Sequence, residues 1–172
     1  IQCSAIYYIA EHCIVELLKN GYAVKGSLRN MERENEVRDA IKKETQDDNL
    51  EFCQLDLLSD DGWDDAMWDC DYLMHVASPF TIDAPKDENE LIKPAKEGTL
   101  RALNAAKKAG IKKVVLTSST AAISSHMKGG TADHDTWTDI DSEYVTAYQK
   151  SKTIAEKAAW EFINNQDENN KL

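Results

Sequence analysis

Tyr148 and Lys152 stand four residues apart in Tyr148-Gln-Lys-Ser-Lys152, a spacing that puts two side chains on one face of a helix. A tyrosine hydroxyl left alone, with a reference pKa of about 10, is a poor proton source or sink at neutral pH. A lysine ammonium beside it favours the phenolate and pulls that pKa toward the working range. Ser119 closes the run Thr117-Ser118-Ser119, and its hydroxyl suits a hydrogen bond to a carbonyl oxygen. The three together fit carbonyl reduction: hydride reaches the carbon, Tyr148 protonates the oxygen, Ser119 orients the substrate and Lys152 tunes Tyr148. The Y-x-x-x-K spacing is also that of an ordinary surface helix pair, so the elements around it decide its meaning.

Those elements alternate. Apolar residues recur at helical spacing from Tyr8 to Asn20 (Ile9, Cys13, Leu17, with Ile14 and Leu18), and Gly21 supplies the stop. Tyr22 to Leu28 is strand-like, and Glu32 to Glu44 is a charged helix burying Val37 and Ile41. Leu50 to Leu55 and Asp71 to Val76 follow as strands, separated by a short helix through Met67 for which Ser59 is the candidate N-cap. A helix from Glu90 to Ala109 ends at Gly110. The β-branched run Lys113 to Thr117 predicts a buried central strand, and the last helix is expected from Tyr144 to Asn164. Strands alternating with helices predict right-handed βαβ units in an open parallel sheet, an α/β doubly wound fold of Rossmann type. Ligands of such sheets bind beyond the C-terminal strand ends, where strand order reverses.

The bulk numbers narrow the class of ligand. With 172 residues the chain is expected to form one domain. Its 42 % hydrophobic and 30 % charged residues argue against disorder. A net charge of −11 is unfavourable for nucleic acid or an anionic membrane, which leaves a small-molecule partner. No apolar run is long enough to span a bilayer. The four cysteines, Cys3, Cys13, Cys53 and Cys70, form no C-x-x-C pair. Cys13 and Cys53 read as reduced core thiols, which suggests the cytoplasm, and no metal site is expected.

Several segments resemble one group within the extended short-chain dehydrogenase/reductase superfamily: dihydroflavonol reductases, cinnamoyl-CoA reductases and fungal-type aldehyde (methylglyoxal) reductases. They are Asn49 to Phe52, Asp56-Leu-Leu-Ser-Asp-Asp-Gly-Trp63, Cys70-Asp-Tyr-Leu-Met-His-Val-Ala-Ser-Pro-Phe80, Glu97-Gly-Thr-Leu100, Val114 to Ser119, and Val145-Thr-Ala-Tyr-Gln-Lys-Ser-Lys through Trp160. The resemblance implies an NADPH-dependent reductase of aldehydes or ketones, with a Ser119–Tyr148–Lys152 triad whose Tyr148 and Lys152 also touch the cofactor. It implies that Asp56 and Leu57 flank the adenine, and that Val76, Ala77 and Ser78 line the cofactor. Arg29 follows the strand that starts at Tyr22, where an acid would select NAD and an arginine attracts the 2′-phosphate of NADP. No acid occurs in Ser27-Leu28-Arg29-Asn30. The cinnamoyl-CoA reductases' N-W-Y-C-Y signature is absent from Val145-Thr-Ala-Tyr148, so that substrate is not expected. Trp137 fits the substrate side and a packed loop aromatic equally.

The resemblance breaks at the phosphate-binding turn. The group's pattern is T-G-A-x-G-Y-I-A, whereas this chain reads Cys3-Ser4-Ala5-Ile6-Tyr7-Tyr8-Ile9-Ala10. Ser4 and Tyr7 occupy both glycine positions, which the tight turn and the close approach of pyrophosphate require. Three explanations stay open: a diverged turn that binds dinucleotide poorly, misassigned first residues, or a rebuilt turn with Tyr7 pointing outward. Both ends are expected to be cut, with the first strand reduced to at most Ile1 to Cys3 and the C-terminal substrate region missing. Two rivals accompany the reductase: a sugar-nucleotide epimerase or dehydratase of the same fold, and a non-catalytic dinucleotide sensor or scaffold.

Overall fold

The computed structural model describes residues 1–4, 8–81, 83–125, 129–167 and 172. Five strands form one sheet: β1 (Gln2–Ser4), β2 (Val24–Leu28), β3 (Leu50–Gln54), β4 (Tyr72–His75) and β5 (Lys113–Leu116). Their order is β3-β2-β1-β4-β5, and every neighbouring pair is parallel. The doubly wound α/β expectation therefore holds, and the order reverses between β1 and β4. β1 is short but central, pairing Gln2 with both Lys25 and Leu73.

Helices α1 (Tyr8–Lys19), α2 (Glu34–Lys42), α3 (Trp63–Met67), α4 (Asn89–Ala109) and α5 (Ala147–Asn164) alternate with the strands. The chain divides into two compact units. The first comprises Ile1–Ala77, Arg101–Thr117 and Leu172, and holds the whole sheet. The second comprises Ser78–Leu100 and Ser118–Lys171, and holds α5.

In the first unit, strand side chains alternate between two apolar layers. Ala10, Ile14 and Val15 of α1 and Val37 and Ile41 of α2 pack with Val24, Leu28, Leu50 and Val76. On the other face Trp63, Ala66 and Met67 of α3 pack with Ala102, Ala105 and Ala106 of α4 and with Leu73. Gly21 and Gly110 close α1 and α4 at φ +80° and +71°, the left-handed conformation that favours glycine after a helix.

Three local expectations are corrected. Residues Lys113 to Thr117 do not form a buried central strand: β5 is the outermost strand of the described sheet, and Val115 is 48 % exposed. Val114 packs into the layer under α4, but Val115 shares the opposite face with Met74, its register partner, beyond the cover of α1 and α2. Ser59 does not cap α3: its hydroxyl bonds Asp61, and the helix starts only after Gly62. The charged helix starts later than Glu32, because a 3₁₀ turn over Met31–Arg33, capped by the Asn30 side chain, precedes α2.

Gly62 sits at φ +79°, and a Cβ built there would lie 3.1 Å from the Gln54 carbonyl oxygen. Gly62→Ala combines left-handed strain with this close approach, so it is expected to destabilise the first unit by about 1–2 kcal/mol. Denaturant unfolding checks this, and an unchanged midpoint would show that the segment relaxes freely.

Candidate active site

The three residues of the proposed triad lie in the second unit. Thr146 initiates α5 with a reciprocal cap: its hydroxyl accepts from the Gln149 amide at 3.3 Å, and its own amide donates to Gln149 Oε1 at 2.7 Å. This fixes the first turn, in which Tyr148 is the second helical residue. The positive end of the helix dipole lies there. The Tyr148 ring is half-buried and meets Phe80 edge-to-face, with centroids 5.3 Å apart.

Lys152 follows one turn later on the same face and is only 6 % exposed. Burial pushes its ammonium below the ordinary lysine range, and the Glu156 carboxylate opposes that shift. Neighbouring hydroxyls on α5 are satisfied internally: Ser151 donates to the Tyr148 carbonyl and Thr153 to that of Gln149.

Ser119 caps the 3₁₀ turn Thr120–Ala122, its hydroxyl accepting from the Ala121 amide at 3.1 Å. It thereby keeps its own hydrogen available to donate. That turn packs against α5, which brings the Ser119 segment to the helix bearing Tyr148 and Lys152. Thr138 pins the turn from the far side, donating its hydroxyl to the Ala121 carbonyl and its amide to that of Ala122. Trp137 stacks under the Lys157 ammonium at 5.2 Å.

The remaining candidates occupy strand ends of the first unit, except Ser78, which begins the second. Arg29 follows β2 and is exposed. Of the chain's four arginines, Arg33, Arg38 and Arg101 pair with carboxylates, whereas Arg29 has no such partner among the described residues. The Asp56–Leu57 turn follows β3, with Asp56 Oδ1 accepting from the Leu58 amide at 2.9 Å. Arg101 reaches it from α4, donating to the Leu57 carbonyl at 2.7 Å. Val76 and Ala77 follow β4. Val76 is directed into the core, so only its backbone is offered to a ligand. Ser4 ends β1, its backbone in register with Ser27, while Tyr7 lies outside the described residues.

Sequence reasoning did not single out Thr146, Phe80, Ser118 or Glu156. The Thr-x-x-Gln spacing ahead of the Tyr/Lys pair was the one available signal, for the capping box.

The model of the 3-beta hydroxysteroid dehydrogenase/isomerase family matches residues 5–170. A cinnamoyl-CoA reductase from Medicago truncatula is 38 % identical over 91 % of this chain and 50 % of its own length. An anthocyanidin reductase from Vitis vinifera is 34 % identical over 95 % of this chain and 50 % of its own length. Among solved structures, the yeast methylglyoxal/isovaleraldehyde reductase Gre2 complexed with NADPH aligns with a TM-score of 0.82 and 31 % identity, covering 95 % of this chain and 52 % of its own. The chain thus spans about half the length of the curated relatives it matches.

Proposed function

We propose that this chain, which belongs to the 3-beta hydroxysteroid dehydrogenase/isomerase family, is the nucleotide-binding part of an NADPH-dependent reductase that converts an aldehyde or ketone to an alcohol. One observation carries the proposal: α5 presents Tyr148 and the buried Lys152 one turn apart, on a helix whose first turn is locked around the tyrosine. The cinnamoyl-CoA, anthocyanidin and methylglyoxal reductases named above support it, and the last of these was solved with NADPH.

The residues at the strand ends suit a phosphorylated dinucleotide. The strand order reverses at β1/β4, where ligands of such sheets bind, and Arg29, at the end of β2, has no carboxylate partner among the described residues. In this proposal Arg29 holds the 2′-phosphate, Asp56 and Leu57 border the adenine, and Val76, Ala77 and Ser78 line the path toward the nicotinamide. NADPH, when bound, supplies the hydride. Ser119 donates a hydrogen bond to the substrate oxygen, Tyr148 delivers its hydroxyl proton to that oxygen, and Lys152 steadies the phenolate left behind.

The partner is a small carbonyl compound, and a net charge of −11 disfavours nucleic acid. Among the described residues, no helix is long and apolar enough to cross a membrane. A reducing, cytoplasmic setting accords with the free thiols of Cys13, Cys53 and Cys70, of which Cys53 is pushed up to about 11 by burial.

The test is to follow NADPH oxidation by the intact protein with simple aldehydes and ketones. Stoichiometric loss of NADPH with alcohol formation is expected. Interconversion of a sugar nucleotide without net NADPH consumption would overturn the reductase in favour of an epimerase. Cofactor choice gives a second expectation. Arg29→Ala removes a charge-assisted hydrogen bond worth about 1.5–3 kcal/mol, so NADPH affinity should fall by roughly 10- to 100-fold. NADH affinity should stay nearly constant. Equal losses for both cofactors in fluorescence titration would make Arg29 structural.

A further inference from the structure

Glu156 is held by two donors that come from different places in the sequence. Its Oε2 accepts from the hydroxyl of Ser118, which immediately precedes Ser119. Its Oε1 accepts from the indole Nε1 of Trp160, one helical turn further along α5, at 3.3 Å. An ordinary surface glutamate exchanges among rotamers in water. This one is half-buried and has each oxygen engaged. It stands one turn beyond Lys152, on the same face of α5, and Lys152 is the buried cation of the site. Burying an ammonium is unfavourable unless an opposite charge is nearby, and Glu156 is the acid that acts on Lys152. The anchoring also accounts for Trp160, a large side chain left 54 % exposed: the position of its indole is set by the carboxylate it binds.

We infer that Glu156 is a positioning residue for the carbonyl chemistry, tying the Ser118–Ser119 segment to α5 and giving Lys152 a fixed counter-charge. The inference rests on the reductase proposal and adds a residue to it. Glu156 touches neither substrate nor cofactor in this role. It acts through Ser118, which sets where Ser119 stands, and through Lys152, which steadies the oxygen of Tyr148 once its proton has gone to the substrate. Ser118 is correspondingly a clamp, and the adjacent serine is the substrate-facing one.

A double-mutant cycle on the intact protein tests this. Glu156→Gln keeps the size of the side chain and removes its charge, and Ser118→Ala removes the clamp hydroxyl. Each is expected to lower kcat about fivefold, with the carbonyl KM and NADPH affinity within about twofold of the original. Because the Ser118 hydroxyl acts only through Glu156, the double variant should lose no more than Glu156→Gln alone, about fivefold, instead of the roughly 25-fold of independent sites. In the cofactor-free protein, amide exchange over residues 118–122 should accelerate several-fold in both single variants. Full kcat in Glu156→Gln, multiplicative losses in the double variant, or unchanged exchange over 118–122 would each overturn the inference. Tyr148→Phe in parallel separates it from the underlying proposal. Loss of turnover in Tyr148→Phe with full activity in Glu156→Gln refutes the positioning role alone, whereas full activity in Tyr148→Phe refutes the reductase mechanism itself.

Discussion

Replacing Tyr148 by phenylalanine in the intact protein is expected to lower carbonyl turnover by about 10²- to 10⁴-fold, the usual contribution of a positioned proton donor. NADPH affinity should change little. The substitution removes one oxygen and leaves the ring, so the edge-to-face contact with Phe80 at 5.3 Å is retained. The reciprocal cap between Thr146 and Gln149 involves no Tyr148 side-chain atom and also survives. Any loss then reports the hydroxyl. Rapid-mixing kinetics at saturating NADPH, with a separate calorimetric titration of the cofactor, makes the measurement. Undiminished turnover would reject the proton-donor role, and a fall confined to cofactor affinity would reassign Tyr148 to binding.

The second large effect concerns the connection between β1 and α1. β1 ends at Ser4 and α1 begins at Tyr8, so three residues join the central strand to the first helix. In sheets of this order the joining turn brings backbone amides and the positive helix end to the pyrophosphate. Here a serine and a tyrosine stand where that turn calls for bare backbone, and the first glycine of the chain is Gly21. The expected result is weak or undetectable NADPH binding by the 172-residue chain as written, and no reductase activity from it. Ser4→Gly with Tyr7→Gly in the intact protein should raise NADPH affinity on the order of 100-fold, as two charge-assisted hydrogen bonds would. Calorimetry of both versions decides. Tight binding with Ser4 and Tyr7 in place, or no gain from the two glycines, would show that this protein binds dinucleotide by another route.

The alternation of strands and helices was legible because its signals are local. Ile14, Val37 and Ile41 fall at helical spacing, and each is buried where that spacing put it. Gly21 and Gly110 mark helix ends through backbone geometry that other residues adopt reluctantly. Burial of β5 was not legible in the same way. Val114 and Val115 are chemically identical neighbours, and only the placement of the surrounding helices leaves one covered and the other bare. The displaced start of α3 has a similar origin, since Ser59 has the right chemistry for a cap and spends it on Asp61. For the site, the Tyr148/Lys152 pair could be read directly, being two positions one turn apart on one helix. The Ser118–Glu156 bond spans 38 residues of sequence, and neither partner carries a local signature of the other. Phe80 against Tyr148 is likewise a contact made by folding alone.

The reciprocal cap at the start of α5 has a consequence for how the protein can vary. Both of its hydrogen bonds close within four residues, Thr146 to Gln149, and borrow nothing from the polar segment before them. Tyr148 sits inside that closed ring of bonds, so the cap acts as mechanical insulation between it and residues 129–145. Substitutions at exposed positions of that segment can therefore leave the tyrosine where it is. A lineage, or an engineer, can vary the exposed positions of 129–145 while Tyr148 stays in register. Thr146 and Gln149 have to be left alone in such variation, and so does Thr138, which pins the turn that Ser119 caps.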